Sequence, residues 1–190
     1  MTNSNTSELK TTKTTLNARE LIFLDTLSFP VIACDATDEH ALEQLQLLKT
    51  HAPKEAIHAM VAHDAMLERH VKQVPDLAYD ILDLSSKPTI IIYDKPQGIS
   101  PMMIRPDGTL GIYVAQDRFC QQLIGQLKRP LAFFLPTLDQ VRALKSSKEK
   151  EGTALPNVPY VVTLQKEKKE PQKPSIIQLA HDGKIKVIRQ

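Results

Sequence analysis

The stretch Thr89-Ile-Ile-Ile-Tyr93 indicates the fold of this chain more clearly than any other segment. Its residues are β-branched or aromatic and no charge interrupts them, which is typical of a strand buried on both faces. From residue 21 to the end, short apolar runs alternate with segments of helical periodicity. Strands and helices that alternate in this way predict an α/β fold.

The other predicted strands are short apolar runs. Residues 18–27 could also be drawn as a helix, because a run of this length suits either structure. Near the end, two apolar runs flank Asp182-Gly183, which is a strong signal for a β-hairpin. The predicted strands cover residues 21–24, 30–34, 57–62, 110–114, 130–135, 160–163, 176–177 and 185–188.

Helical patterns lie between most of these strands. Leu42, Leu45 and Leu48 form the apolar stripe of one helix, and Thr37 is expected to cap it. Thr137 and the glutamine three residues after it form a capping box. The further helices are predicted over residues 64–71, 75–84, about 119–127 and 137–144.

Composition excludes several classes of protein. Of 190 residues, 42% are hydrophobic and 24% are charged, which indicates one water-soluble globular domain. Residues 1–17 are rich in Thr, Ser and Asn and predict a flexible tail before a domain over residues 18–190. Since no apolar run suits a signal peptide or a membrane span, we expect a cytoplasmic location and no membrane partner.

The histidines and cysteines offer little chemistry. His58, His63 and His70 lie close in sequence, but their spacing differs from the four-residue separation of a helical zinc pair, so no metal site is predicted. Cys34 and Cys120 lie in apolar surroundings and are expected to be buried thiols rather than nucleophiles.

Several short segments occur in a fixed order along the chain. They are Cys34-Asp-Ala-Thr37, Lys87-Pro-Thr89, Gly108-Thr-Leu-Gly-Ile112, Pro130-Leu131, Lys173-Pro-Ser-Ile-Ile-Gln-Leu179 and Ile185-Lys-Val-Ile-Arg189. Their order and spacing resemble those of the YrdC/YciO family of threonylcarbamoyl-adenylate synthases, over about residues 21–190. The resemblance implies a twisted, mixed parallel and antiparallel sheet with flanking helices around a concave, positively lined cavity.

The same resemblance implies an activity and its ligands. Members of the family convert threonine, bicarbonate and ATP to threonylcarbamoyl-AMP and pyrophosphate, and the product modifies the adenosine beside the anticodon of certain tRNAs. Some members are described as binding double-stranded RNA. For this chain the resemblance therefore implies ATP with Mg²⁺, a threonine-like ligand, and an RNA or a tRNA-modification partner.

Seven positions keep residue types that could contact a ligand. Thr26 and Ser28 fall on the hydroxyl positions of the family's first strand motif, and Lys49 and His51 fall on its basic motif. The other three lie in segments that match the family. The candidate ligand-binding residues are Thr26, Ser28, Lys49, His51, Thr89, Ser175 and Arg189.

Four positions depart from the family where the resemblance implies contact with the nucleotide. Glu55 stands where the family has a lysine, and Tyr113 stands where it has an arginine. Phe133 and Phe134 replace part of a polar Ser-x-Ser-Ala-Asn segment. Adenylate formation needs cations beside the phosphates, and the loss of one preorganised contact commonly costs ~10²–10³-fold in rate.

The sequence therefore predicts a catalytically degenerate relative that is retained for nucleotide, RNA or partner binding. The alternatives are an active synthase and an interaction scaffold for a competent relative. Two Lys-rich segments, 145–152 and 166–173, are expected to be solvated loops. If RNA binds, residues 145–150 and 166–173 should contact it without sequence preference and in a salt-dependent way.

Overall fold

The computed structural model describes residues 3–26, 28–52, 55–149, 158–163 and 173–189. Within these ranges strands and helices alternate over most of the chain, which confirms the predicted α/β class. The strands are β1 (Ile22–Asp25), β2 (Pro30–Asp35), β3 (His58–Val61), β4 (Thr89–Tyr93), β5 (Leu110–Val114), β6 (Leu131–Phe134), β7 (Tyr160–Thr163), β8 (Ser175–Leu179) and β9 (Ile185–Arg189).

The helices lie between the strands and at the start of the chain. A short 3₁₀ helix, Pro101–Met103, precedes β5. Among the helices of the described ranges, none is long and apolar enough to cross a membrane. The helices are α1 (Asn3–Asn17), α2 (Glu39–Lys49), α3 (Asp64–His70), α4 (Asp76–Leu84), α5 (Arg118–Leu127) and α6 (Leu138–Glu149).

The nine strands form one mixed sheet in the order β7-β1-β2-β6-β3-β5-β4-β8-β9. Three neighbouring pairs are parallel, β1 with β7, β3 with β5 and β4 with β8. The other neighbours are antiparallel, as in the pairs β4–β5 and β8–β9. The mixed parallel and antiparallel sheet that the resemblance implied is therefore present.

The strand predictions agree closely with the structure. All five residues of β4 are buried, as its unbroken β-branched run predicted. Residues 22–25 form β1, which decides between the strand and the helix that the sequence left open. Gly183, with φ of 84°, lies in the left-handed region between β8 and β9, where glycine is favoured. The predicted terminal hairpin is thus confirmed.

The first 17 residues were expected to be a flexible tail, but from Asn3 to Asn17 they form helix α1. Leu9 and Leu16, two helical turns apart, are buried, and Thr12 lies between them on the same face. The Thr12 hydroxyl donates to the backbone oxygen of Glu8 at 2.7 Å, so its burial leaves no unpaired hydroxyl. Two leucines were too few to give a visible apolar period in the sequence.

Helix caps show one smaller difference from the predictions and one agreement. Asp38, and not Thr37, caps α2, because its carboxylate accepts from the Ala41 amide at 3.0 Å. Thr37 instead donates its hydroxyl to Asp35 at 2.7 Å. The predicted capping box of Thr137 is confirmed, since the Gln140 side chain accepts from the Thr137 amide at 2.9 Å.

The segment after residue 144 was expected to be a solvated loop, but α6 continues to Glu149. The Lys145 ammonium lies 2.7 Å from Asp25, a carboxylate that is only 2% exposed. This ion pair holds α6 beside β1. It also engages one of the lysines that were expected to contact RNA. The second Lys-rich segment lies, apart from Lys173, outside the described residues.

Candidate functional site

One face of the sheet carries Tyr113 and Phe133, two of the residues that the family resemblance singled out. His58 of β3 pairs with Phe133 of β6, and the next residue of β3 pairs with Ile112, which sets His58 level with Gly111 of β5. Alternate residues of a strand share a face, so Tyr113 lies on the same face as Gly111. We call the face that carries His58, Gly111, Tyr113 and Phe133 the site face.

Phe29, Tyr113 and Phe133 form an aromatic cluster on this face, and all three are at most 1% exposed. The rings of Phe29 and Tyr113 meet edge to face with centroids 4.9 Å apart, and Phe133 lies 6.1 Å from Phe29. The Tyr113 hydroxyl donates to the Ser28 hydroxyl at 3.1 Å. Burial raises the pKa of Tyr113 to about 12, so the phenol stays neutral and cannot act as a cation.

Thr26 and Ser28, both candidate ligand contacts, serve the fold at this place. The Thr26 hydroxyl donates to the Phe29 oxygen at 2.8 Å and accepts from the amides of Ser28 and Phe29 at 3.1 Å each. It therefore holds the turn between β1 and β2 that delivers Phe29 to the aromatic cluster. Ser28 receives the Tyr113 hydroxyl within the protein.

Phe134 does not share this face. Adjacent residues of a strand point to opposite sides, so Phe134, which pairs with Ile32, points away from Phe133. Both phenylalanines are completely buried. The sequence comparison grouped them as one altered segment, but only Phe133 contributes to the site face.

Next to the aromatic cluster lies a polar cluster of Glu55, His58, Arg105 and Arg189. The Arg189 guanidinium lies 3.3 Å from Glu55 through Nη1 and donates through Nε to the Pro174 oxygen at 3.1 Å. Glu55, which the sequence predicts to replace a family lysine, therefore neutralises an arginine of this same chain. Its carboxylate is paired rather than presented to a phosphate.

His58 links the two clusters. Its ring packs on Phe133 with centroids 5.6 Å apart, and the residue is 1% exposed. Burial, together with the charges of Arg105 and Arg189, lowers the pKa of His58 to about 3. The imidazole is therefore neutral near pH 7.

Gly111 makes room for this imidazole. A Cβ atom at position 111 would lie 2.2 Å from Nδ1 of His58 and 3.1 Å from Cγ2 of Ile90. Real Cβ atoms do not approach a ring this closely, so only glycine lets His58 lie flat across β5.

Four polar atoms of this cluster lack a hydrogen-bond partner among the described residues. They are Nδ1 and Nε2 of His58, Nε of Arg105 and Nη2 of Arg189. Buried polar groups are nearly always paired, and each that is not costs roughly 1–3 kcal/mol. The aromatic cluster, by contrast, pairs the Tyr113 hydroxyl within the chain.

A cavity of about 280 Å³ opens where β4 and β8 begin and β9 ends. It brings together Thr89, Ser175 and Arg189, three candidates from distant parts of the sequence. Neither Lys49 nor His51 belongs to its lining, which is formed by Leu84, Ser85, Ser86, Lys87, Thr89, Ser175, Ile177, Val187 and Arg189.

Magnesium ATP fits these residues poorly. ATP brings about four negative charges, and adenylate chemistry needs several cations to stabilise them. Arg105 and Arg189 are the guanidinium groups of the polar cluster, and Glu55 neutralises one of them. No group of three or more His, Cys, Asp and Glu in the described ranges could hold a metal ion.

Sequence reasoning missed two residues of the polar cluster. His58 was considered only as a metal ligand, and Arg105 was not singled out. The available signal was a lone histidine at the start of an apolar strand, with a glycine at the matching place in β5. Cys34 and Cys120 are buried as expected, and burial raises the pKa of both thiols.

The nine-stranded mixed sheet and its partly polar site face define an α/β protein of YrdC-like architecture. The Sua5/YciO/YrdC family model, described as telomere recombination, matches residues 14–190. The chain therefore belongs to the Sua5/YciO/YrdC family, which confirms the resemblance seen in its sequence.

Solved structures share this fold at low sequence identity. E. coli YciO matches with a TM-score of 0.75 and 14% identity, over 96% of this chain and 88% of its own. P. abyssi Sua5 complexed with L-threonine matches with a TM-score of 0.73 and 15% identity, over 90% of this chain and 50% of its own. Full-length HypF in a phosphate- and nucleotide-bound form matches with a TM-score of 0.72 and 16% identity, over 96% and 28%.

The chain thus spans about half the length of the Sua5 structures that it matches. At these identities the likeness shows the fold. No curated protein matches the sequence of the chain.

Proposed function

We propose that this chain is a non-catalytic member of the Sua5/YciO/YrdC family, retained for binding a small anionic ligand. The observation that carries the proposal is internal pairing at the altered positions. Glu55 pairs with Arg189, and Tyr113 donates to Ser28. In a synthase, the residues at these two positions are expected to face phosphate. Here Glu55 and Tyr113 instead bind other residues of the same chain.

The electrostatic consequence is large. Stabilising the charge that develops during adenylate formation depends on preorganised cations, and each loss commonly costs ~10²–10³-fold in rate. Tyr113 supplies a neutral phenol, and Glu55 supplies a negative charge where a lysine would supply a positive one. The two changes together remove far more stabilisation than Arg189 alone could restore.

Binding is the function that these residues still support. Arg105 and Arg189 keep donors without partners in the described part of the chain, and Thr89 and Ser175 line a cavity beside Arg189. P. abyssi Sua5 has been solved with L-threonine, and full-length HypF in a phosphate- and nucleotide-bound form, which supports the proposal that this chain binds a small ligand. A relation to tRNA threonylcarbamoyladenosine synthesis would then run through ligand binding and not through catalysis.

The test is a pyrophosphate-release assay with threonine, bicarbonate and magnesium ATP. We expect no release above a control without threonine, whereas an active synthase of the family, assayed in parallel, should release pyrophosphate. A cooperative thermal unfolding transition of the same sample shows that the protein is folded. Threonine-dependent release by the folded protein would overturn the proposal and establish the active-synthase alternative.

Double-stranded RNA binding stays a separate prediction. Lys145 is engaged by the buried Asp25 carboxylate, so fewer lysines are available than the sequence implied. If binding occurs through lysines, affinity should fall steeply between low and moderate salt, because counterions are released from the phosphates. A salt-independent affinity would exclude this mechanism.

A further inference from the structure

We propose that the corner where α4 ends beside β8 and β9 is a docking surface for a second copy of this chain. Two chains that meet there form a weak, symmetric dimer. The dimer needs no bound ligand and so goes beyond the proposed function. We call Leu84, Ile177, Ile185 and Val187 the docking patch.

Strand pairing places the docking patch on the side of the sheet opposite the site face. Ile92 of β4 pairs with Gly111, which lies on the site face, and Gln178 of β8 pairs with Ile92. Ile177 is the neighbour of Gln178 in β8, so its side chain points to the opposite side, together with that of its partner Val187. The docking patch is therefore separate from the aromatic cluster.

The docking patch exposes large apolar side chains as a contiguous group. Leu84 is 84% exposed, Val187 is 53% exposed, and Ile185, two residues before Val187 on the same side of β9, is 50% exposed. Leu84 and Val187 border the same cavity. Single apolar residues at a surface need no explanation, but a contiguous group indicates an interaction surface.

The shape of the docking patch is self-complementary. Leu84 lies at the rim of the cavity of about 280 Å³, and Ile177 and Val187 form part of its wall. A closed apolar cavity of ~150 Å³ holds a benzene ring, so this open cavity has room for a leucine side chain. In a twofold dimer each chain presents the same surface to the other, so Leu84 of each chain can enter the cavity of its copy.

The charges beside the docking patch are also self-complementary. Asp80 lies one helical turn before Leu84, Asp83 precedes Leu84 directly, and both are exposed. Lys87 is exposed as well and borders the cavity beyond the end of α4. No ion pair between described residues engages these three side chains. Twofold packing around Leu84 brings Lys87 of one chain toward the acidic residues of the other, whereas a partner with charges of one sign would meet like charge.

The free edge of β9 does not serve this contact. The register between β8 and β9 shifts between Ile176 and Ile177, which marks an irregularity in the ladder, and Lys186 lies near the middle of β9. Bulges and lysines prevent an edge strand from pairing with a further strand. The second copy therefore docks on the side of the sheet and does not extend the sheet.

Sedimentation equilibrium of the full chain, from about 1 to about 500 µM, tests for the dimer. The docking patch is much smaller than a standard interface of about 20–30 residues a side, so we expect a Kd of about 10–100 µM. Methyl NMR spectra over the same dilution should show shifts concentrated at the docking patch. A monomer mass at every concentration, or a dimer whose shifts lie elsewhere, would overturn the inference.

A lysine at position 84 tests the apolar contact. Leu84→Lys places an ammonium group in the interface twice, once from each chain, so the Kd should rise about 10-fold or more. Leu47→Lys is the matched control, because Leu47 is 65% exposed and also lies in the last turn of its helix. If Leu84→Lys leaves the Kd unchanged, or if both variants raise it equally, the docking patch is not the interface.

Reversing the charge of Lys87 tests the ion pairs. Lys87→Glu sets like charge against Asp80 and Asp83 of the second copy, so the Kd should rise several-fold at about 50 mM salt and less at about 500 mM. Lys72→Glu makes the same change at another exposed lysine and should have little effect. Equal effects of the two variants would contradict the twofold charge pairing.

These measurements contain no threonine and no nucleotide. The wild-type dilution decides the inference even if a variant fails to fold. A negative result leaves the pyrophosphate assay as an independent test of the proposed function.

Discussion

The aromatic cluster and the polar cluster lie side by side on one sheet face and differ in how they satisfy their polar atoms. In the aromatic cluster, the Tyr113 hydroxyl donates to the Ser28 hydroxyl, and the other ring atoms of the cluster are apolar. In the polar cluster, His58 and two arginines keep polar atoms without partners in the described ranges. Only the polar cluster therefore has unpaired polar atoms that a bound ligand could pair with.

The difference shows that two neighbouring parts of one sheet face can differ strongly in polarity. Tyr113 and Phe133 extend the hydrophobic core across part of the face, and burial of these rings stabilises the fold. In the polar cluster, the ring of His58 occupies the space above Gly111, which any larger residue at position 111 would need for its side chain.

The largest effect is expected from removing the ring of Phe133, which packs near both Phe29 and His58. Phe133→Ala should lower the free energy of unfolding by about 3–5 kcal/mol, because a completely buried ring leaves a cavity. Urea denaturation measures the change. Leu84→Ala, at a side chain that is 84% exposed, should change stability by less than about 0.5 kcal/mol. Similar losses in the two variants would contradict the assigned packing.

The glycine beneath His58 should be the next most sensitive position. Gly111→Ala should lower stability by about 1–3 kcal/mol, since the new methyl group meets the ring of His58. In a His58→Ala background the same substitution should cost much less. A double-mutant cycle measures this coupling, and simple additivity of the two changes would show that the ring does not cause the strain.

The neutral state of His58 predicts a particular dependence on pH. Its pKa is about 3 in the folded protein and near 6.5 when unfolded, so its contribution to stability is present above pH 6.5 and is lost as the pH falls toward 3. Between pH 6.5 and 5 the wild type should lose about 1–2 kcal/mol more than His58→Leu. If the stability of both proteins depends on pH in the same way, the ring of His58 is exposed to solvent and the assigned burial is wrong.

The smallest effect concerns the hydrogen bond between the hydroxyls of Tyr113 and Ser28. Tyr113→Phe should cost about 1 kcal/mol, because the Ser28 hydroxyl loses its donor. Wild-type stability should also fall as the pH rises from 10 through about 12, since the folded phenol resists ionisation and the unfolded one does not. Tyr79→Phe, which removes a hydrogen bond to Glu68 at the surface, should cost less.

Most strands could be predicted because a buried strand consists of consecutive apolar residues, as β4 does. The prediction failed for α1, where Leu9 and Leu16 are the only apolar residues of the buried face and threonines fill the rest. Thr89, Ser175 and Arg189, which the resemblance singled out as candidate ligand contacts, border one cavity. Whether these residues bind the ligand remains a prediction.

Pairing between distant residues could not be read from the sequence. Glu55 and Arg189 are 134 positions apart, and only the order of strands in the sheet brings them together. Phe133 and Phe134 point in opposite directions because side chains alternate along a strand. The sequence alone does not say which of the two lies on the site face. Arg105 lies in a turn with no sequence signal of its own.

The place of β8 and β9 in the sheet has a consequence for how the protein folds. β8 joins β4 although Tyr93 and Ser175 are 82 positions apart, and β9 then adds Arg189 at its end. Closing so long a loop costs entropy, and pairing between distant segments slows folding. The corner that holds Arg189 should therefore be among the last parts to acquire native protection against hydrogen exchange during refolding, well after the β3–β5 pair.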